Sequence, residues 1–132
     1  MDNKTPFIAN IEQLTLDNSC FRQVLYTAPH SQLVLMSLLP GEEIGAEVHH
    51  KVDQFFRFER GQGKVVVDGK EYPVTDGSAL LVPAGLEHNI INTGSESLKL
   101  YTVYSPANHI DGRVHETKAD AIADDADEKF GE

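Results

Sequence analysis

The chain has no tryptophan and one cysteine, Cys20, among 132 residues, and its 11 Lys and Arg are outnumbered by 21 Asp and Glu. A single thiol excludes an intramolecular disulfide, so a buried core has to hold the fold, with Cys20 expected to be a small buried hydrophobe and not a nucleophile. A formal charge of -10 leaves little of the basic surface that nucleic acids and anionic membranes require, and neither is an expected partner. Much of the acidity lies in the C-terminal tail, where it serves solubility. The longest apolar stretch, Leu33 to Leu39, is interrupted by Ser37 and is too short to cross a bilayer. The start Met1-Asp-Asn-Lys-Thr-Pro6 has neither the basic region nor the apolar run of a signal peptide, so a soluble cytoplasmic protein is expected. Also missing are a Gly-rich phosphate loop, a nucleophile beside an evident base, an internal repeat and a Pro- or Ser-rich linker. The hydrophobic content of 40% suffices for one domain over residues 1–132.

What the chain does have is strands. Phe21–Thr27, Gln32–Leu39, Gln54–Glu59, Gly63–Asp68, Lys70–Val74, Ala79–Val82, His88–Asn92 and Leu98–Tyr104 are short, rich in β-branched and aromatic residues, and bounded by turn formers. Asp68-Gly69 reads as a type I′ hairpin turn, since both residues tolerate positive φ, and Asn92-Thr-Gly94-Ser95 marks another turn. Asn10 to Asp17 reads as a short strand or turn. After Ser105-Pro106 the character changes: Thr117-Lys-Ala-Asp120 opens like a capping box, and Ala119, Ile122, Ala123, Ala126 and Phe130 follow at helical spacing. A short C-terminal helix is expected, its other face carrying Asp120, Asp124, Asp125, Asp127 and Glu128 to solvent.

The most specific segment is Gly77-Ser-Ala-Leu-Leu-Val-Pro83-Ala-Gly85-Leu-Glu-His88-Asn-Ile-Ile-Asn92. An apolar strand ends at Pro83, Gly85 permits a sharp turn, and a second strand begins at His88. The spacing Gly77-x5-Pro83-x-Gly85-x2-His88-x3-Asn92 resembles, without a gap, the second motif of the cupin superfamily. That resemblance implies an all-β double-stranded β-helix, or jelly-roll barrel, here about residues 20–105 with a tail and helix over 106–132. It also implies a first motif in which a His-x-His pair, a carboxylate and a glycine seven residues further on complete a metal site. Counting back from Gly61 places Gln54 where the family usually has glutamate, His49 at the second histidine, and Glu47 at the first.

Strand periodicity supports that register. Residues two apart share a face, so Glu47 and His49 converge while His50 points away. A turn at Lys51, Val52 and Asp53 resets the alternation, placing Gln54, Phe56 and Phe58 on one side and Phe55, Arg57 and Glu59 on the other. Asp53 replaces Gln54 as the inward residue if the turn is one residue shorter.

The candidate metal ligands are Glu47, His49, Gln54 and His88. Two imidazoles and a carboxylate leave open positions on a divalent first-row ion such as Fe, Mn, Ni or Zn, with the Gln carbonyl a weak fourth donor. For each residue the blander reading is also on the table: a hydrogen-bonded histidine for His49 or His88, a surface charge beside Lys51 for Glu47, and a ligand-orienting hydrogen-bond donor for Gln54. Phe56, Phe58, Ile90, Met36, Tyr26 and either Tyr101 or Tyr104 compete to line a mostly apolar cavity. Arg22 and Arg57 could clasp a carboxylate, but surface or packing roles are expected, and His109 and His115 read as exposed tail histidines. Resemblance to cupins suggests a metal-dependent dioxygenase, isomerase, epimerase or decarboxylase acting on a small oxygenated molecule, and a homodimer. The alternatives are a non-catalytic barrel binding a sugar or organic acid, and a structural cupin with a vestigial site.

Overall fold

Nine strands and three short helices make up residues 5–132, the part of the chain that the computed structural model describes. The strands are β1 (Arg22–Thr27), β2 (Gln32–Leu38), β3 (Asp53–Arg60), β4 (Gly63–Val67), β5 (Lys70–Val74), β6 (Ala79–Val82), β7 (His88–Asn92), β8 (Leu98–Ser105) and β9 (Val114–His115). The helices are α1 (Ile11–Asp17), α2 (Lys118–Ala123) and α3 (Asp125–Phe130). A six-stranded sheet runs β6-β3-β8-β2-β1-β9 and faces a three-stranded sheet, β5-β4-β7. All the strand pairs are antiparallel. The segment from Gly41 to Glu47 runs along the open edge of β7, bridging Glu43 to Ile91 and Glu47 to His88.

Period-two alternation builds the core. Gln54, Phe56 and Phe58 of β3 are buried while Phe55, Arg57 and Glu59 are not, and β8 buries Leu98, Leu100, Thr102 and Tyr104 in the same way. Met36, Leu38, Val65, Ile90 and Val82 fill the space between the sheets, each contributing about 1.5–3 kcal/mol by leaving water. Asn92 closes the far end, its amide donating to the Leu38 and Glu96 carbonyls at 2.9 Å. The β4–β5 hairpin turns on Asp68 (φ +49°) and Gly69 (φ +80°), as the type I′ reading requires.

Three expectations need correction. Asn10–Asp17 is neither strand nor turn: Ile11–Asp17 is helical, and the Asn10 side chain caps it by accepting from the Gln13 N–H at 3.0 Å. Tyr26 does not line the cavity, because a bulge between Val24 and Tyr26 reverses the alternation and stacks its ring on Phe7 outside. Of the two tyrosines left open, Tyr104 is buried and Tyr101 faces out, against Phe55. The C-terminal helix forms at the Thr117–Asp120 capping box as expected, and the chain breaks at Asp124 to begin a second short helix. Finally, His109 and His115 are not exposed: they retain 8% and 3% of their accessible surface, and the acidic helix face carrying Asp124 and Asp127 is turned toward them.

Candidate functional site

The Gly85 turn (φ +94°) delivers His88 to the start of β7 and docks on the upstream segment, the Gly85 N–H donating to the His49 carbonyl at 2.9 Å. Glu47 and His88 are direct cross-strand partners, exchanging both backbone hydrogen bonds at 2.9 Å. Their side chains therefore share a face, and His49, two residues beyond Glu47, joins them. Glu47 Oε2 lies 3.1 Å from His49 Nε2. The His49 and His88 rings are 5.3 Å apart, and His88 Nε2 is 3.2 Å from Gln54 Oε1. Four residues from three segments thus meet at one end of the barrel. His50 is exposed, pointing away. Asp53 is exposed as well and accepts the Ala84 N–H at 2.9 Å, so Gln54 is the inward residue.

The Gln54 side-chain amide spans the Thr102 hydroxyl, 2.9 Å from one end, and His88 Nε2, 3.2 Å from the other. His88 Nδ1 lies 3.1 Å from the Leu86 carbonyl, an acceptor only, so the ring proton of neutral His88 belongs on Nδ1. Burial pushes the His88 pKa down, a further drop coming from His49 against the Leu86 carbonyl and Glu47, so the ring is neutral near pH 7 and its Nε2 lone pair faces the Gln54 amide. Two imidazoles, a carboxylate and an amide oxygen suit a divalent first-row metal. For Glu47, burial favours the neutral acid, but the hydrogen bond and charge of His49, aided by Arg22 and His88, outweigh it and hold the pKa below the usual value.

Beside these four, a second set was missed by sequence reasoning. His109 Nδ1 donates to Asp127 Oδ2 at 2.7 Å, leaving Nε2 to accept from the Tyr104 hydroxyl at 3.1 Å. Asp127 is fixed further by the Ile110 N–H at 2.7 Å. Burial pushes the Tyr104 phenol well above its ordinary pKa and depresses that of His109 despite Asp127. Gln32 pegs the loop carrying His109: its Oε1 accepts the Asn108 and His109 N–H groups at 3.1 and 3.0 Å and its Nε2 donates to the His109 carbonyl at 2.7 Å. The signal that was available is the i, i+3 spacing of Asp124 and Asp127, which places both on one helix face. Arg57 keeps its expected surface role, paired with Glu59 at 2.9 Å. Arg22 does not, being buried with 8% of its surface exposed.

Part of this set lines a cavity of about 880 Å³ between the Ile44–Val52 segment and the C-terminal helices. Glu47, His49, Arg22, His109 and Asp127 supply its polar wall, and Phe21, Ile44, Ala121 and Phe130 much of its apolar wall. Among the described residues, His115, Asp124 and Asp127 place one donor atom each within 4.8 Å of one another. Asp124 is already engaged by Arg113 Nε at 2.8 Å and His115 Nε2 at 2.9 Å, and an adjacent guanidinium opposes a cation there. We read that cluster as the clamp that holds α2 and α3 on the barrel.

The paired sheets and the motif residues agree with a match to the Cupin domain over residues 34–104. The chain belongs to the cupin family. This cupin is 52% identical over 125 residues to the uncharacterized protein YrkC of Bacillus subtilis, covering 89% of this chain and 67% of that one. It is 42% identical over 113 residues to an uncharacterized protein of Acanthamoeba polyphaga mimivirus, covering 82% and 70% respectively. A crystal structure of a Bacillus halodurans protein superimposes with a TM-score of 0.89 at 46% identity, covering 91% of this cupin and 96% of that chain.

Proposed function

We propose that this cupin is a metal-dependent enzyme acting on a small oxygenated organic molecule, with Glu47, His49 and His88 as metal ligands and the Gln54 carbonyl as a weaker fourth donor. The observation that carries the reading is the convergence of Glu47, His49, Gln54 and His88 from three segments, with Glu47 Oε2 3.1 Å from His49 Nε2, the two imidazole rings 5.3 Å apart and Gln54 3.2 Å from His88 Nε2. A bound divalent ion would supply Lewis acidity toward a substrate oxygen.

The rest of the chemistry falls to the chain's own residues. Asp127 fixes the His109 tautomer so that Nε2 presents a lone pair, and Tyr104 donates its proton to that nitrogen. The depressed pKa leaves His109 neutral near pH 7, and it takes a proton from a molecule in the cavity it lines once the Tyr104 hydroxyl turns away from Nε2. The apolar wall limits the water that competes for the same groups.

Metal content tests the reading. Untagged protein loaded with Zn²⁺, Ni²⁺, Mn²⁺ or Fe²⁺ and dialysed should retain close to one equivalent by elemental analysis. His88→Ala, His49→Ala and Glu47→Ala should each lose at least about tenfold in affinity, whereas His50→Ala should bind normally. Wild-type protein that retains none of these ions, or equal binding across the series, overturns it.

A further inference from the structure

Arg22 holds a cationic side chain out of water without a bonded partner. It opens β1, paired with Met36 of β2 on one side and His115 of β9 on the other, and only 8% of its surface is exposed. Its Nε is buried with no hydrogen-bond partner, and no ion pair or hydrogen bond with any of the described residues engages the rest of the guanidinium. The guanidinium carbon lies 5.3 Å from the centre of the Phe21 ring, a contact that supplies no carboxylate or carbonyl acceptor to its N–H donors.

Two carboxylates lie within reach of its field, Glu47 and Asp127, but each is already bonded to an imidazole: Glu47 to His49 at 3.1 Å and Asp127 to His109 at 2.7 Å. Arg22 attracts both and is bonded to neither. An uncompensated buried charge is costly, and the cost is repaid when an anion completes the pair. Arg22 lines the same cavity as His49 and His109, and a guanidinium edge matches the two oxygens of a carboxylate. Leaving aside Lys51, Lys118, Glu128 and Glu132 at its rim, and counting Arg22 as positive, Glu47 and Asp127 as negative and the histidines as neutral, the inner wall of the cavity carries one net negative charge. A divalent ion makes that one net positive charge, and a single carboxylate brings the sum to zero.

We propose that Arg22 is the carboxylate anchor of the cavity, and that the molecule bound there is a small organic acid. This deepens the metal-dependent reading by naming a substrate class and rests on that reading only for the charge count. The anchor holds one end of the acid against β1 while its remaining oxygens lie toward His49, His88 and His109.

The experiment is calorimetric titration of Zn²⁺-loaded wild-type, Arg22→Lys and Arg22→Met proteins with glycolate, malonate and succinate, and with the uncharged amides of the same acids. At least one acid should bind the wild type and its amide should not. Arg22→Met should weaken that acid about 30-fold or more, with an intermediate loss in Arg22→Lys, which keeps the charge and loses the planar fork. Zinc stoichiometry should be the same in all three, because Arg22 is not a ligand. Ligand-free Arg22→Met should melt no lower than the wild type, since it removes an unpaired buried charge. Failure of every acid to bind, equal affinity in wild type and Arg22→Met, or a ligand-free Arg22→Met that unfolds would each overturn the proposal, the last by making Arg22 structural. If the wild type retains no zinc, the metal reading fails separately, and the same titrations on metal-free protein decide the role of Arg22.

Discussion

Gln54 occupies the inward position of β3 nearest His88, and its neutrality is the main chemical peculiarity of the site. One end of its amide meets the Thr102 hydroxyl at 2.9 Å, and its oxygen lies 3.2 Å from His88 Nε2. Replacing that oxygen by a carboxylate adds a full negative charge where a cation is proposed. Gln54→Glu should therefore tighten Zn²⁺ binding at pH 7 by at least tenfold, about 1.4 kcal/mol, in competition with a chromophoric chelator; unchanged or weaker binding would put Gln54 outside the coordination sphere. The positions of Glu47, His49, Gln54 and His88 were legible through the cupin-like spacing of the two motifs, and local strand alternation supported their sides, while the choice between Gln54 and Asp53 depended on the length of the turn before β3. Arg22 and His109 were not legible in that way. An arginine opening a strand is usually a surface residue, and what buries this one is β9 and the C-terminal helices, placed by contacts more than 80 residues away along the chain. His109 becomes a site residue only because Gln32, 77 positions earlier, holds its loop.

The elements divide along the same line. All eight expected strands form within a residue or so of their predicted ends, since each carries its own alternation and turn residues. The N-terminal helix was hidden because Ile11-Glu-Gln-Leu-Thr-Leu-Asp is too short for a helical period to separate from a strand period. The two-residue β9 has no pattern to read. The C-terminal helices are too short to be stable alone and depend on their clamp: Asp124 accepts from Arg113 and His115 and caps α3 through the Asp127 N–H at 3.2 Å. Asp124→Asn should leave the barrel intact and release the cover. In hydrogen exchange, amides from Lys118 to Phe130 should exchange roughly tenfold faster while β3 and β8 are unaffected. Uniformly faster exchange, or none at all, would contradict the clamp. Because the Arg113 and His115 contacts hold the Asp124 pKa far below the usual range, the clamp should persist through mildly acidic pH and fail only when pH falls below the ordinary carboxylate values of about 4.

At the scale of the whole molecule, two tendencies oppose each other as pH falls. The chain carries a formal charge of -10 and has a calculated isoelectric point near 4.9, so acidification from neutrality relieves self-repulsion and should favour the folded state. The buried groups act in the other direction. His88 and His109 have folded pKa values below the unfolded value of about 6.5, burial being the largest cause for each. Their stabilisation is complete above that unfolded value and is lost as pH falls through it toward the depressed folded values, because the unfolded chain takes up protons that the folded chain refuses. Glu47 and Asp127, held below their ordinary pKa values by His49 and His109, add a second loss beneath the carboxylate range, with the same sign. Salt separates the two effects, since about 0.5 M screens surface repulsion and leaves buried imidazoles nearly untouched. Urea unfolding of metal-free protein at that salt should show a plateau above about pH 7 and a fall below it, at up to about 1.4 kcal/mol per pH unit for each histidine. His109→Gln, which retains a donor for Asp127, should make the first stage shallower. A stability that rises continuously from pH 7.5 to pH 5 in high salt would mean that His88 and His109 accept protons in the folded state, and that His88 is not held neutral for a metal.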